Sequence, residues 1–448
     1  MTKKTMKKPL ILFLFLTLFV FTNLALSQNK PRAINAFSDR IFSGKGYQPL
    51  GELKWKFKTE GRIFSSPLSQ NGIVYIGSED GFLYAIDEKT GKENWKFKTN
   101  GAIHSSLSFA EKIIYFGSFD GYYYAVNTQT GKEIWKFKTG GEHWLGEIGI
   151  WGMKPETQYM DDLWDFYLSS PVVYQNGKTA LVIFGSSDGN VYAVDAKTGK
   201  ETWKFKTNGP VHGTAVIDKN KIYIGGWDAV LYALNAENGK EIWHYALGTK
   251  TGFKGIQSSV AVADGKVLFG ARDPHFFALD AETGKLNWKY DAENSWILSS
   301  AVIKDNTIYV GTSDTYALLA LDLKTGKEKY RLKTNGYVYS SPAIAGNTVY
   351  FGDFTGNFFA LNLLSNGKEF NSVSTENRKQ FAASTLKNDL LDFGYTAQNE
   401  DLSIYDNNKK VMDQFYRLGA IVSSPFISKN SIYFGSSDGY LYAYNLEK

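Results

Sequence analysis

Between Gly141 and Leu168 the sequence crowds together side chains that suit ligand recognition. Trp144, Trp151 and Trp164 stand near His143 and the carboxylates Glu142, Glu147, Asp161, Asp162 and Asp165. Flat aromatic faces beside carboxylates can hold a sugar ring, a quinone or the side chains of a protein partner. In a protein interface Trp144, Trp151 and Trp164 are the expected anchors, with Asp161, Asp162 and Asp165 at the rim. The alternative is a hydrophobic cap that plugs whatever lies beneath it. A second set stands just ahead of short strand-like runs: Arg62, Phe64, His104, His212, Gln257, Trp296, Tyr337 and Tyr339. These residues line one pocket only if the runs converge, and otherwise each packs where it stands. His104 and His212 lack metal-type spacing, so zinc receives no support. His244 is expected on an outer rim. No nucleophile elbow, phosphate loop, HExxH or strand-supported dinucleotide motif occurs, and there is no cysteine.

What must position these residues is a repeat. The segment LYAIDEKTGKENWKFKT at 83–99 returns at 123–139 and 191–207, with weaker copies starting at 231, 276 and 318. Its aromatic landmark falls at Trp55, Trp95, Trp135, Trp203, Trp243, Trp288, Tyr330 and Phe370. A second landmark, an apolar run ending in glycine and a polar turn, reads VYIGSEDG at 74–81 and IYFGSSDG at 432–439. Eight copies of each landmark mean eight units. Every unit holds four short stretches of alternating β-branched and aromatic residues between glycine turns, the pattern of a four-stranded propeller blade. One fourth-strand sequence (53–59) precedes any first strand, and the last unit ends after its third. The N-terminal strand is therefore expected to complete the last blade and close the ring, which removes exposed sheet edges.

The expectation is an all-β, eight-bladed propeller over 51–448, with insertions at about 141–168 and 371–420. Both insertions join a fourth strand to the next first strand, so they share a face; loops of such length tend to be functional. The second is more polar and is expected to be a partly ordered cover. The landmark tryptophans should sit in seams between blades. The turn aspartates Asp80, Asp120, Asp188, Asp228, Asp273, Asp314 and Asp438 should bind their own turns rather than one calcium ion.

The motif A-x-[D/N]-x-x-T-G-K-x-x-W resembles the repeat of the pyrroloquinoline quinone (PQQ) propellers. These include quinoprotein alcohol dehydrogenases and the outer-membrane assembly lipoprotein BamB. The resemblance spans nearly all of 51–448 and implies eight blades with a tryptophan wedged at each seam. For a dehydrogenase it would imply PQQ beside calcium, an aspartate base and, in many members, a ring of two adjacent cysteines, which this chain lacks. For a BamB-like protein it implies a module that binds another protein through loops on one face, here without a cysteine to carry lipid. The reading taken is a non-catalytic protein-binding scaffold, monomeric and without a cofactor. A PQQ- and calcium-dependent dehydrogenase and a glycan-binding propeller stand as alternatives.

The N-terminus reads as an export signal over 1–27, followed by an extension over 28–50: Lys3, Lys4, Lys7 and Lys8 precede an apolar run from Pro9 to Leu26. Cleavage before Gln28 would leave a periplasmic or secreted protein with no integral span. It would also lower the net charge from +5 to +1, because residues 1–27 hold four lysines and no acid. Nothing in that balance points to nucleic acid.

Overall fold

The computed structural model describes residues 34–35, 40–248, 255–394 and 402–447. The signal expected at 1–27 and residues 395–401 of the second insertion lie outside the described residues. In blade one the strands are Leu68–Gln70, Ile73–Gly77, Phe82–Asp87 and Glu93–Lys98, paired in order and antiparallel. The middle strands are apolar nearly throughout because neighbouring blades cover both their faces. The fourth alternates, with Trp95 and Phe97 turned inward and Lys96 and Lys98 exposed. Seven more sheets repeat this order, giving eight blades. Asp87 folds the last turn, its Oδ1 accepting from the backbone N–H of Lys89 and Thr90 and from the Thr90 hydroxyl.

Three contacts join each blade to the next. The first, in six of the eight seams, is the tryptophan. The indole N–H groups of Trp55, Trp95, Trp135, Trp203, Trp243 and Trp288 donate to backbone carbonyls in the following blade at 3.0–3.3 Å. Each ring also lies against the turn glycine of that blade. A Cβ on Gly239, whose φ is +69°, would sit 2.5 Å from the Trp203 ring, so glycine is required there by both conformation and space. Apolar side chains from facing sheets then fill the seam.

The third contact is a closed belt of hydrogen bonds around the inner strands. The backbone N–H of Ser66 donates to the Ser106 hydroxyl, and Ser106 donates likewise to Ser170, Ser170 to Thr214 and Thr214 to Ser259. Ser259 continues to Ser300, Ser300 to Ser341, Ser341 to Ser424 and Ser424 back to Ser66, all at 2.8–3.2 Å. The Ser-Ser pair ahead of the first strand in seven blades, replaced by Gly213-Thr214 in blade four, encodes this belt.

The ring closes as expected. Leu50–Lys58 pairs antiparallel with Tyr440–Leu446 to complete blade eight. One landmark is corrected: Asn371, not Phe370, stands opposite Ala360 where other blades place tryptophan, and Phe370 is exposed. Asn371 instead holds both backbone groups of Leu50. The second insertion also starts later than expected, because Phe370–Ser374 is the fourth strand of blade seven.

Part of the extension expected ahead of the propeller contributes to it. Ile34–Asn35 pairs with the inner strand of blade two, and Ile41–Phe42 lies parallel to that of blade seven. Between them the buried Arg40 guanidinium donates to the Ser300 and Ala301 carbonyls. A cavity of about 280 Å³ remains beside this strap, lined by the inner strands of blades four to six.

Two outcomes test this architecture. Trp203→Ala should cost about 3 kcal/mol and Gly239→Ala about 1–2 kcal/mol. In denaturant melts the double variant should cost less than their sum, because both changes break one contact. Full additivity would separate the two residues. Deleting residues 50–58 should expose a sheet edge and drive aggregation in size-exclusion runs; a soluble monomer with the parent melting curve would contradict the closed ring.

Candidate functional site

Second-to-third turns and fourth-to-first connections emerge on one face, and both insertions build upon it. Most positions of the G-S-x-D-G turn are committed. Asp80 accepts from the Phe82 and Glu60 N–H groups and the Tyr84 hydroxyl, and Asp120, Asp188 and Asp228 repeat that set in their own blades. Asp438 likewise binds its turn and Tyr442. The middle residue of the turn ranges from serine to phenylalanine, tryptophan and arginine. It is Glu79, Phe119, Ser187, Trp227, Arg272, Ser313, Phe354 and Ser437 round the ring, and these side chains form the floor of the face.

The first insertion starts as a short hairpin, Gly146–Ile148 against Tyr159–Asp161, and then descends into the ring. Phe166 packs against Phe64, Tyr339, Phe354 and Tyr416, while its carbonyl lies 2.8 Å from His104 Nδ1. The insertion therefore plugs the channel mouth. The second insertion lays two helices over it: α1 (Glu376–Thr385), capped by the Thr375 hydroxyl, and α2 (Ile404–Arg417), capped by Ser403. α2 turns Val411, Met412, Phe415 and Tyr416 into the same apolar cluster.

Buried charge fastens the plug. Asp162 pairs with Arg272 at 2.5 Å, with neither side chain exposed. The Arg272 guanidinium is sandwiched between the Trp227 and Trp296 rings at 4.5 and 4.6 Å. Its Nε and Nη2 donate to Gln257 Oε1, and Gln257 Nε2 donates to the Trp164 carbonyl. Burial pushes the Asp162 carboxyl up to about 6; Arg272 opposes the shift and Asp165 adds to it. Asp165 accepts from the Leu145 N–H and lies 2.8 Å from His212 Nδ1. Both Asp162 and Asp165, expected at the rim of a binding surface, are thus anchors inside it.

His212 Nε2 lies 2.7 Å from Ser187 Oγ, so Ser187, His212 and Asp165 have the spacing of a serine-nucleophile triad. Their chemistry differs. Burial lowers the His212 pKa, but the Asp165 and Glu142 carboxylates outweigh it and raise the value. The imidazole is therefore biased toward the charged form rather than toward a base. The Ser187 hydroxyl donates to Glu142 Oε2 at 2.8 Å, and Glu142 also receives Ser186 and Thr139. A nucleophile needs a neutral imidazole and an open approach; here both serine and histidine are buried. The unit reads as a clamp.

The other expected residues divide by exposure. His143, Trp144, Trp151 and Asp161 are exposed. Trp144 stacks on Phe119 at 4.6 Å, and Trp151 joins Trp164 and Trp296 in one ring cluster. His104 and Tyr339 are buried, and Arg62 lies over the Tyr416 ring with Asp413 at 2.9 Å. Arg62, His104, His212, Gln257, Trp296 and Tyr339 thus share a face without forming one open pocket. The accessible recess, about 170 Å³, lies between Arg62, Glu79, Trp144, Asp161 and the α2 residues Tyr405 and Lys409. Arg272, Trp227 and Ser187 were missed by the sequence reading; their signal was the middle position of the second-to-third turn, where blades four and five place a large tryptophan and arginine.

A carboxyl raised in the folded state favours folding below its unfolded pKa of 3.8, and that contribution is lost as pH rises toward 6. Asp162→Asn should therefore flatten this part of the Tm–pH profile, whatever it does to overall stability. An unchanged profile shape would place the titrating group elsewhere.

Comparison with solved structures agrees with the architecture. BamB from Moraxella catarrhalis superposes with a TM-score of 0.60 at 14% identity, covering 88% of this chain and 99% of that one. A europium-containing methanol dehydrogenase gives 0.63 at 14%, covering 88% and 93%. The computationally designed Ika8 protein gives 0.61 at 17%, covering 89% and 99%. At these identities the likeness establishes the fold alone. Comparison with curated proteins gives no match. The family model described as outer membrane protein assembly factor BamB matches residues 46–146, 146–254 and 228–390. With more than half of its length so matched, the chain belongs to the PQQ-like β-propeller repeat family that this BamB model describes.

Proposed function

We propose that the protein is a non-catalytic, exported scaffold that binds a protein partner through the face carrying both insertions. One observation carries the reading. Trp144 and Trp151 are each 38% exposed, Ile148 63% and Tyr159 56%, all on one insertion whose base is fastened by buried ion pairs. Large apolar side chains held outward on a rigid mount are what a protein interface uses as anchors. The BamB description of the family model fits an assembly role. No helix among the described residues is long and apolar enough to cross a membrane.

The dehydrogenase alternative needs donors for calcium and an opening for a quinone. The carboxylates near the mouth are engaged: Asp162 with Arg272, Asp165 with His212, and Glu79 with His104 and Arg62. Among the described residues no three His, Asp or Glu side chains gather as a metal-binding set. Phe166 and Tyr416 fill the mouth. The residues present do not fit that group.

Ile148→Glu with Tyr159→Glu should leave the melting curve within about 1 kcal/mol of the parent, as exposed changes do, and abolish crosslinking to the partner recovered from the exported fraction. Retained crosslinking would remove the insertion from the interface. Stoichiometric uptake of PQQ with calcium, read by quinone absorbance and dye-linked alcohol oxidation, would overturn the non-catalytic reading. Specific capture on a glycan array would favour the sugar-binding alternative.

A further inference from the structure

The fourth strand of each blade is its outermost, and in the sequence W-K-F-K both lysines lie on its solvent side, where the ammonium groups of Lys58, Lys98 and Lys206 also donate to the Asp438, Asp80 and Asp188 carbonyls. The lysine pairs are Lys56 and Lys58 in blade eight, and Lys96 and Lys98 in blade one. Blade two supplies Lys136 and Lys138, and blade three Lys204 and Lys206. All are exposed, and the four blades are consecutive around the closed ring. Beyond them the pattern breaks: His244 and Ala246 stand at these positions in blade four, Lys289 and Asp291 in blade five, Ser372 and Ser374 in blade seven. Blade six has Arg331 and Lys333, but Arg331 is clamped by Glu328 and Glu293.

This arc sits in a protein whose net charge from Gln28 onward is only +1, so acid is in excess elsewhere. The 141–168 insertion holds six acids and one lysine. The exposed acids among them, Glu147, Glu156 and Asp161, give the insertion face a charge opposite to that of the lysine-bearing wall. The ion pairs made by the arc, Lys56 with Glu376, Lys96 with Glu93 and Lys136 with Glu133, are 3.5–4.0 Å long and solvent-exposed, which leaves them weak competitors.

Aromatic rings set how the lysines are presented. Lys56 and Lys58 lie over Tyr440 at 5.1 and 5.0 Å, Lys96 and Lys98 over Phe82 at 5.0 and 4.5 Å, and Lys136 over Tyr122 at 5.2 Å. The rings carry the lysine stems and are covered by them, so they offer no open faces on which nucleic-acid bases could stack. Ammonium groups held above half-buried aromatics suit a layer of phosphate headgroups.

We propose that this lysine arc seats the protein side-on against an anionic membrane surface, with the acidic insertion face left free. Blades eight and one supply four of its eight lysines. The inference does not depend on the partner-binding reading.

The test uses the chain from Gln28, which contains every strand of the ring and omits the apolar leader. It should co-sediment with vesicles of phosphatidylglycerol and phosphatidylcholine but not with phosphatidylcholine alone, and release as salt rises through a few tenths molar, where the screening length shrinks to a few ångströms. Replacing Lys56, Lys58, Lys96 and Lys98 by Gln should weaken vesicle binding at least about tenfold. The same four changes to Arg should preserve it. Gln at Lys289, Lys327, Lys329 and Lys333 removes equal charge from blades five and six and should have little effect. Equal losses in both Gln variants, no binding by the parent, or binding to soluble polyphosphate without binding to anionic vesicles would each overturn the proposal. Should the first Gln variant misfold, loss of vesicle binding on Lys56→Glu with Lys96→Glu decides the matter, with Ile148→Glu as a folded control expected to bind vesicles normally.

Discussion

A twisted four-stranded sheet with apolar residues on both faces cannot stand alone in water, and here each sheet has only its two neighbours to cover it. The seam between adjacent blades is therefore the contact on which the molecule depends. It is built at three radii: an indole against a glycine turn near the outside, apolar side chains through the middle, and a hydroxyl accepting a backbone N–H at the inner edge. Such seams are self-consistent only if the last meets the first. Leu50–Lys58 completes blade eight, and the N–H of Ser424 returns to the hydroxyl of Ser66.

Because the seams occupy most of each repeat, variation is confined to what they leave free. In the second-to-third turn that includes the middle residue of each blade. The first insertion exploits four neighbouring ones: Phe119 stacks on Trp144, Ser187 meets His212 and Glu142, Trp227 faces Arg272, and Arg272 pairs with Asp162. Burying these charges is tolerable only because each is paired and hydrogen-bonded; removing one partner would strand the other. The result is a rigid mount whose outer side chains remain exposed. A Ser-His-Asp geometry at such a place is a lesson in reading chemistry from proximity. Glu142 and the tilt of His212 toward its charged form turn a nucleophile's arrangement into a fastening.

PQQ-like propellers include both enzymes and binding proteins, so the fold does not choose between them. What separates the readings is whether the channel mouth is open. Phe166 from one insertion and Tyr416 from the other meet over it, and the carboxylates beneath are engaged in ion pairs. The large side chains left exposed, Trp144, Ile148, Trp151 and Tyr159, lie above the ring rather than within it.

The repeat, the number of blades and the closing strand were legible in the sequence, because each blade solves the same packing problem with the same residues at the same spacing. The Ser-Ser pairs and the variable turn residue were equally visible, yet their roles were not. A hydroxyl that accepts from the preceding blade, or an arginine held between two tryptophans, acquires its meaning from neighbours tens of residues away along the chain. The sequence also located both insertions and the acidic and aromatic character of the first. It misplaced Asp162 and Asp165 at the rim and put Phe370 where Asn371 stands. Burial of an inserted carboxylate depends on whether a cation waits below it. Only the tertiary structure brings Arg272 beneath Asp162 and His212 beside Asp165, since those partners come from other blades at distances along the chain that no local pattern records.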